Sequence, residues 1–401
     1  MEADLLASYW TMFADQPDAR WRRALVQLAS LVDVNVEREL RRRAIEEVPP
    51  ALLRLAPGWE LVRVLLTKMK VDPRIVDAVW EHGVVKFDRE VASKALDKIE
   101  GIYGYEYSTL ASFQEAKRRG LARIYEVPAP EHEFIENLIQ REIQRMPELN
   151  DGKRTYFLAR QKRRTERRRQ EWDLAELVIV SSTFTRDTYA AAGFNVAKVR
   201  VVPLGAPEVY LGGAEGGSRE SDPLRVLWAG AFSVHKGAHY ALSAWKEIAS
   251  KASASLDIYG TVRLTSKLMR GLPASIRVFS SIPRAELFEQ YCQADVLLFP
   301  TLCDGFGMVV TEAFAHGLPV ITTTQAGAAD LVRHMENGLI IPPGDTQALT
   351  GALEWCLAHR RELKAMRRAA QQTAARWQWR DFRQTLRANV THDLRQLGYA
   401  A

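Results

Sequence analysis

From residue 224 onward, short and almost wholly apolar runs alternate with longer stretches whose apolar residues recur at helical spacing. The runs are LRVLWAG (224–230), SLDIYG (255–260), IRVFSSI (276–282), DVLLFP (295–300), LPVITT (318–323) and GLIIPP (338–343). A strand covered on both faces has no polar side, so this pattern predicts a parallel sheet. Between the runs, AHYALSAWKEIASK (238–251) and AELFEQYCQA (285–294) predict helices, and the alternation predicts a doubly wound α/β domain.

A second, less regular α/β pattern precedes it. GVVKF (83–87), LARIYEV (121–127), ELVIVSS (176–182) and VRVVPLG (199–205) read as strands, and EHEFIENLIQREIQRM (131–146) as an amphipathic helix. The first 80 residues are mostly helical in pattern, with LVDVNV (31–36) as the one candidate strand. EVYLGGAEGGSRESDP (208–223) has no apolar period and is rich in Gly, Ser and charge, which predicts a linker. The expected organisation is therefore a first domain over 1–207, a linker over 208–223 and a second domain over 224–381. A last amphipathic helix, about 382–401, completes the first domain.

Composition narrows the class. At 401 residues the chain is long for a single core, and 47% hydrophobic with 26% charged residues is ordinary for a globular protein. No apolar stretch approaches the roughly 18–20 residues of a membrane span, and the start lacks the basic and apolar regions of a signal peptide. The expected location is the cytoplasm. Cys292, Cys303 and Cys356 have neither metal-ligand nor redox spacing and read as reduced thiols. The net charge of +6 is uneven: RQKRRTERRR (160–169) holds seven basic residues and one acidic residue. The run fits a solvated helix face, or a patch that holds the protein peripherally on the inner, anionic face of a membrane. No nucleic-acid recognition motif accompanies it, so nucleic acid is not an expected partner.

The chemistry concentrates in DGFGMVVTEAFAHGLPVI (304–321). It follows a strand at its carboxyl end, where open α/β sheets bind ligands. Gly305 and Gly307 let a ligand approach the backbone, and a helix from about residue 308 to 316 aims its free N–H groups at that turn, a site suited to a diphosphate. Asp304 and Glu312 put two carboxylates at different depths of one pocket, where they could accept from the hydroxyls of a ribose and a hexose. Taken alone, Asp304 reads equally as a helix cap and Glu312 as a solvated face. A second segment, WAGAFSVHKGAHYALSAW (228–245), places Gly230 at a strand end and Lys236 at a helix start, where an ammonium suits leaving diphosphate charge. His235 beside it reads as a loop residue. No Asp-x-Asp or histidine cluster is present, so neither metal nor cofactor is expected.

These segments resemble the retaining GT-B glycosyltransferases of family 4, whose signature is E-G-F-G-x-x-x-x-E-A-x-A-x-G-x-P-V-I. The chain matches it over 305–321, with Asp304 in place of the first Glu. The resemblance extends over roughly 173–381 and implies two Rossmann-like domains facing across a cleft, the N-terminal one atypical at its start. It implies a nucleoside-diphosphate-sugar donor, with Glu312 on the ribose, Asp304 on the transferred sugar and Lys236 on the diphosphate. The backbone at Phe306, Gly307 and Met308 would serve sugar and phosphates, Gly230 and Gly305 would also belong to the donor site, and Tyr259-Gly260 and Ser281-Ile282 would border the base. On the acceptor side, where the family often has a histidine and an acid, the chain offers Tyr103, Tyr105 and Glu106. Ala231 stands where the family often has an arginine, so Lys236 acts with the helix dipole alone or an arginine comes from elsewhere. The family's leading strand and glycine-rich turn have no counterpart in the first 30 residues. The expected activity is metal-independent, retaining sugar transfer to a glycan, lipid-linked or small-molecule acceptor. A donor-binding but inactive subunit of a polysaccharide-assembly complex and a sugar-nucleotide epimerase are the alternatives.

Overall fold

The computed structural model describes residues 7–14, 45, 48–150, 152, 154–251 and 253–399. The candidate strand at 31–36 lies outside them. In chain order the elements are β1 (Tyr9–Thr11), β2 (Leu53–Leu55), α1 (Gly58–Lys68), α2 (Pro73–Lys94), β3 (Gly101–Tyr105), α3 (Leu110–Arg118), β4 (Ala122–Val127), α4 (His132–Arg145), α5 (Arg154–Leu174), β5 (Leu177–Val180), α6 (Thr183–Ala191) and β6 (Val199–Val201). There follow β7 (Leu224–Ala229), α7 (Ala238–Lys251), β8 (Ala254–Tyr259), β9 (Ile276–Phe279), α8 (Arg284–Gln293), β10 (Val296–Phe299), α9 (Met308–Ala315), β11 (Val320–Thr323) and β12 (Gly338–Ile341). Three helices close the chain: α10 (Thr346–Ala358), α11 (Arg360–Arg376) and α12 (Trp379–Gln396). The chain divides into two compact units. One comprises 1–125, 166–176 and 390–401, the other 126–165 and 177–389.

In the first unit, β1 pairs in parallel with β2, so a short strand lies near the start where none was expected. The run GVVKF, expected as a strand, is part of the 22-residue helix α2. Its buried positions Glu81, Val84, Asp88 and Val91 fall at helical spacing, and Val84 is one point on that stripe. Asp72 caps the helix by accepting from Arg74 N at 2.8 Å, and Pro73 occupies its first turn. β3 and β4 are neighbours, joined at their start by Ala122 N donating to Glu100 O at 3.0 Å. Near the end of the chain, Tyr399 Oη donates to Glu176 Oε1 at 2.7 Å.

The second unit is built on a six-stranded sheet in the order β12-β11-β10-β7-β8-β9, with parallel pairing throughout. Each of the six runs read as a strand is one. Period-two alternation divides β7: Leu224, Val226 and Trp228 enter one core with Trp245, Ile248 and Leu353, while Leu227 and Ala229 enter the other with Val310, Phe314 and Ala370. Helices therefore cover both faces. Each such buried Leu, Val or Ile contributes about 1.5–3 kcal/mol relative to exposure. The strand order reverses between β7 and β10, and connections on either side leave a crevice at the carboxyl ends of those strands.

Residues 208–223 are fastened along this unit. Arg367, 2% exposed, donates to Gly213 O at 3.0 and 2.9 Å, to Ala294 O at 2.8 Å and to Cys292 O at 3.2 Å. One guanidinium thus satisfies a carbonyl of this segment and two at the C-terminal end of α8.

Candidate functional site

Past β7 the chain turns through Gly230 and a single 3-10 turn, Val234–Lys236, into α7. Gly237 ends that turn at φ +75°, and a Cβ there would lie 2.0 Å from Pro300 O. Only glycine lets the turn press against the loop after β10. The backbone O of His235 locks the two loops by accepting from Leu302 N (2.9 Å), Cys303 N (3.3 Å) and Thr301 Oγ1 (3.1 Å). Lys236 consequently projects over the crevice, where Nζ donates to Asp304 Oδ2 and lies 5.6 Å from the Phe299 ring centroid. His235 is a loop residue, as expected. Burial, and then the neighbouring Lys236, push its imidazole down to about 4, so it is neutral at physiological pH.

The Asp304 turn is held on every side. Its N–H donates to Gln325 O at 3.0 Å, its carbonyl accepts from Gly327 N at 2.9 Å, and its Oδ1 accepts from Phe306 N at 3.2 Å. The next carbonyl, of Gly305, accepts three hydroxyls: Ser181 at 3.0 Å, Ser182 at 2.7 Å and Thr185 at 3.2 Å. A Cβ on Gly305 would sit 1.8 Å from Pro128 O. Ser182 also caps α6, accepting from Thr185 N at 3.1 Å, so one side chain starts a helix and fixes the turn.

Gly307, left-handed at φ +91° and ψ +63°, is the N-cap of α9 and brings no side chain to its free N–H groups. The positive end of the helix and those donors open just after the Asp304 turn, an arrangement that favours negative charge. Gly317, at φ +68°, stops the helix, with Leu318 N returning to Ala313 O at 2.8 Å.

Glu312, one turn further in and 8% exposed, keeps different company from Asp304. Its Oε1 accepts from Arg284 Nη2 at 2.8 Å and its Oε2 from Tyr291 Oη at 3.1 Å, both on α8. Burial raises the Glu312 carboxyl above its usual value, while Arg284 and Tyr291 pull it back. Arg284 was missed by sequence reasoning, since nothing local marks a residue 28 positions from its partner.

The remaining residues expected on the donor side lie at the same edge: Gly230 follows β7, Tyr259 ends β8 ahead of Gly260, and Ser281 and Ile282 follow β9. Tyr259 stacks on Phe279 with centroids 4.7 Å apart and planes at 11°. Phe306 is buried, whereas Met308 is 37% exposed.

Of the residues expected on the acceptor side, Tyr103 and Tyr105 lie in β3 and Glu106 follows it, in the first unit. Tyr105 is half exposed, but Glu106 is turned inward onto Arg168 at 3.1 Å. Arg167 reaches Asp88 at 2.6 Å and Glu171 at 3.3 Å. Part of the basic run is thus spent on acids of its own unit and does not form a uniform cationic surface. Among the described residues no helix is long and apolar enough to cross a membrane, and no group of three or more His, Cys, Asp or Glu is arranged to hold a metal ion.

Residues 223–359 match the family described as Glycosyl transferases group 1. The amylovoran biosynthesis glycosyltransferase AmsK of Erwinia amylovora is 26% identical over 191 residues, 44% of this chain and 46% of its own. The chain spans less than half the length of the curated relatives compared. Among solved structures, sucrose-phosphate synthase from Thermosynechococcus elongatus aligns with a TM-score of 0.58 and 20% identity over 79% of this chain and 78% of its own. Anabaena HepE in complex with UDP-glucose aligns at 0.56 and 17% identity over 76% of this chain and 82% of its own. The α/β architecture with parallel sheets is that of GT-B glycosyltransferases, which have two Rossmann-like domains. On that fold, residues 223–359 are the part similar to a glycosyl transferases group 1 domain.

Proposed function

We propose that the chain is a retaining glycosyltransferase that takes a sugar from a nucleoside-diphosphate sugar and attaches it to a glycan, lipid-linked or small-molecule acceptor, without a metal ion. The observation that carries this reading is the meeting of Lys236 with Asp304 over the strand-order reversal, directly before the open N-terminus of α9. The diphosphate would lie on the first N–H groups of α9, with Lys236 turning from Asp304 to the phosphate oxygens. Asp304, so released, would accept from hydroxyls of the transferred sugar, and Glu312 from the ribose.

In the reaction the bond from the anomeric carbon to the phosphate oxygen breaks, and the acceptor oxygen bonds to that carbon on the same face. The departing phosphate oxygen takes the acceptor's proton. The protein supplies position and charge: Lys236 and the helix dipole stabilise the growing diphosphate charge, which replaces the role a metal plays elsewhere. With Ala231 in the place of an arginine, the cation of this turn that meets Asp304 is Lys236.

Because a neighbour in fold binds UDP-glucose, uridine diphosphate sugars head the donor panel, followed by guanosine and adenosine diphosphate sugars. Sugar release or transfer from any of them in the presence of EDTA, with the product's anomeric configuration unchanged by NMR, is the expected result. Neither binding nor turnover of any donor, turnover abolished by EDTA, or an inverted product would each overturn the corresponding part of the reading.

A further inference from the structure

Glu312 is reached by one stripe of α8. Arg284 opens that helix just after the loop from β9, and Phe288 and Tyr291 follow at i+4 and i+7, so all three share one face. Arg284 donates to one carboxylate oxygen and Tyr291 to the other, while the Arg284 guanidinium lies 5.3 Å from the Phe288 ring centroid. On Glu312's own helix, His316 lies one turn on, with Nδ1 2.8 Å from the Glu312 carbonyl. Burial holds the His316 imidazole below its usual range and the Tyr291 phenol well above its own, so Tyr291 stays a donor.

A carboxylate removed from water tends to take up a proton, and protonation turns one of its acceptor sites into a donor. Here each oxygen uses one lone pair within the protein and keeps another for an incoming hydroxyl. The Arg284 side chain is still 55% exposed, as befits a group at the mouth of a site. We propose that Arg284, helped by Tyr291, is a positioning residue for the donor's ribose: it holds the Glu312 carboxylate as an aimed, charged acceptor for the vicinal hydroxyls. The assignment rests on the reading of Glu312 as the ribose-binding residue.

The test is titration calorimetry of the full chain with whichever of UDP, GDP and ADP binds most tightly, and with its 2′,3′-dideoxy counterpart. Arg284→Ala should weaken the ribonucleotide about tenfold, the loss of one charge-assisted contact, and leave the dideoxy nucleotide unchanged. The loss should be greater at about pH 6 than at about pH 8, because Glu312 without its cation is more readily protonated. Arg284→Lys should recover part of it. Unchanged or tighter ribonucleotide binding by Arg284→Ala, or an equal loss for both nucleotides, overturns the proposal. Glu312→Gln separates two kinds of failure. If it discriminates between the nucleotides while Arg284→Ala does not, the positioning role alone falls; if it does not discriminate, the ribose reading falls with it.

Discussion

Lys236 and Asp304 are 68 residues apart and form an ion pair over the gap between β7 and β10, where the strand order of the sheet reverses. The cation arrives from the turn after the first strand of this sheet and the acid from the turn after the fourth. A ligand bound there as proposed would meet both.

Lys236→Ala should weaken nucleotide-diphosphate-sugar binding about ten- to a hundredfold, the range of a charged hydrogen bond of about 1.5–3 kcal/mol. Far-UV circular dichroism should show the fold intact. Calorimetry giving wild-type affinity would remove Lys236 from the diphosphate site.

His235 predicts an acid-side loss of stability. An unfolded chain binds the imidazole proton once the pH drops below about 6.5, whereas the folded chain resists it down to about 4. The stability contributed by burying the neutral ring is complete above that window and is lost as the pH falls through it. His235→Asn should therefore flatten the fall in Tm between about pH 6.5 and about pH 4. Buried His239, also depressed, leaves a residual slope in the variant. Parallel profiles for wild type and variant would contradict the assignment.

Two glycines should respond oppositely to alanine. At Gly305 the new methyl would collide with Pro128 O, so urea denaturation should show a loss of about 1–3 kcal/mol. Gly351, exposed within α10, has open space at its Cβ, and Gly351→Ala should gain about 0.5–1 kcal/mol from helix propensity. A stabilised Gly305→Ala would mean that the turn is far more yielding than its contacts indicate.

Arg367→Met should destabilise the second unit by about 1–3 kcal/mol, since Ala294 O loses its guanidinium donor while Gly213 O and Cys292 O keep only the N–H groups of Gly216 and Gly217. Arg367→Lys should not restore it. A compact ammonium cannot span three acceptors, and burial that already lowers the guanidinium's affinity for its proton would cost an amine more. The denaturant midpoint of the two variants measures both statements.

The second sheet was legible because its strands are covered on both faces and are apolar throughout, and runs such as LRVLWAG and DVLLFP are short and alternate regularly with helical stretches. GVVKF misled because five residues are too few to distinguish a strand from an arc of the helix stripe formed by Glu81, Val84, Asp88 and Val91. β3 escaped notice since GIYGY, with two glycines, lacks the β-branched run that marks a strand. The positions of Asp304 and Lys236 after strand ends, and of Glu312 inside the helix that follows, were legible in the sequence. What the carboxylates touch was not: Arg284 and Tyr291 reach Glu312 only after α8 and α9 have packed. Likewise, the acids that neutralise Arg167 and Arg168 come from Asp88 and Glu106, remote in sequence from the basic run.

The three hydroxyls gathered on the Gly305 oxygen act at a distance. A peptide unit is a rigid plate, so gripping its oxygen also sets the bearing of the Phe306 N–H at its opposite edge, and that N–H is what the Asp304 carboxylate leans on. Ser182 can thus steer an acid it never meets, as a tiller steers a blade under water. A library built to alter what Asp304 grasps has as much to gain at residues 181, 182 and 185 as at the aspartate itself.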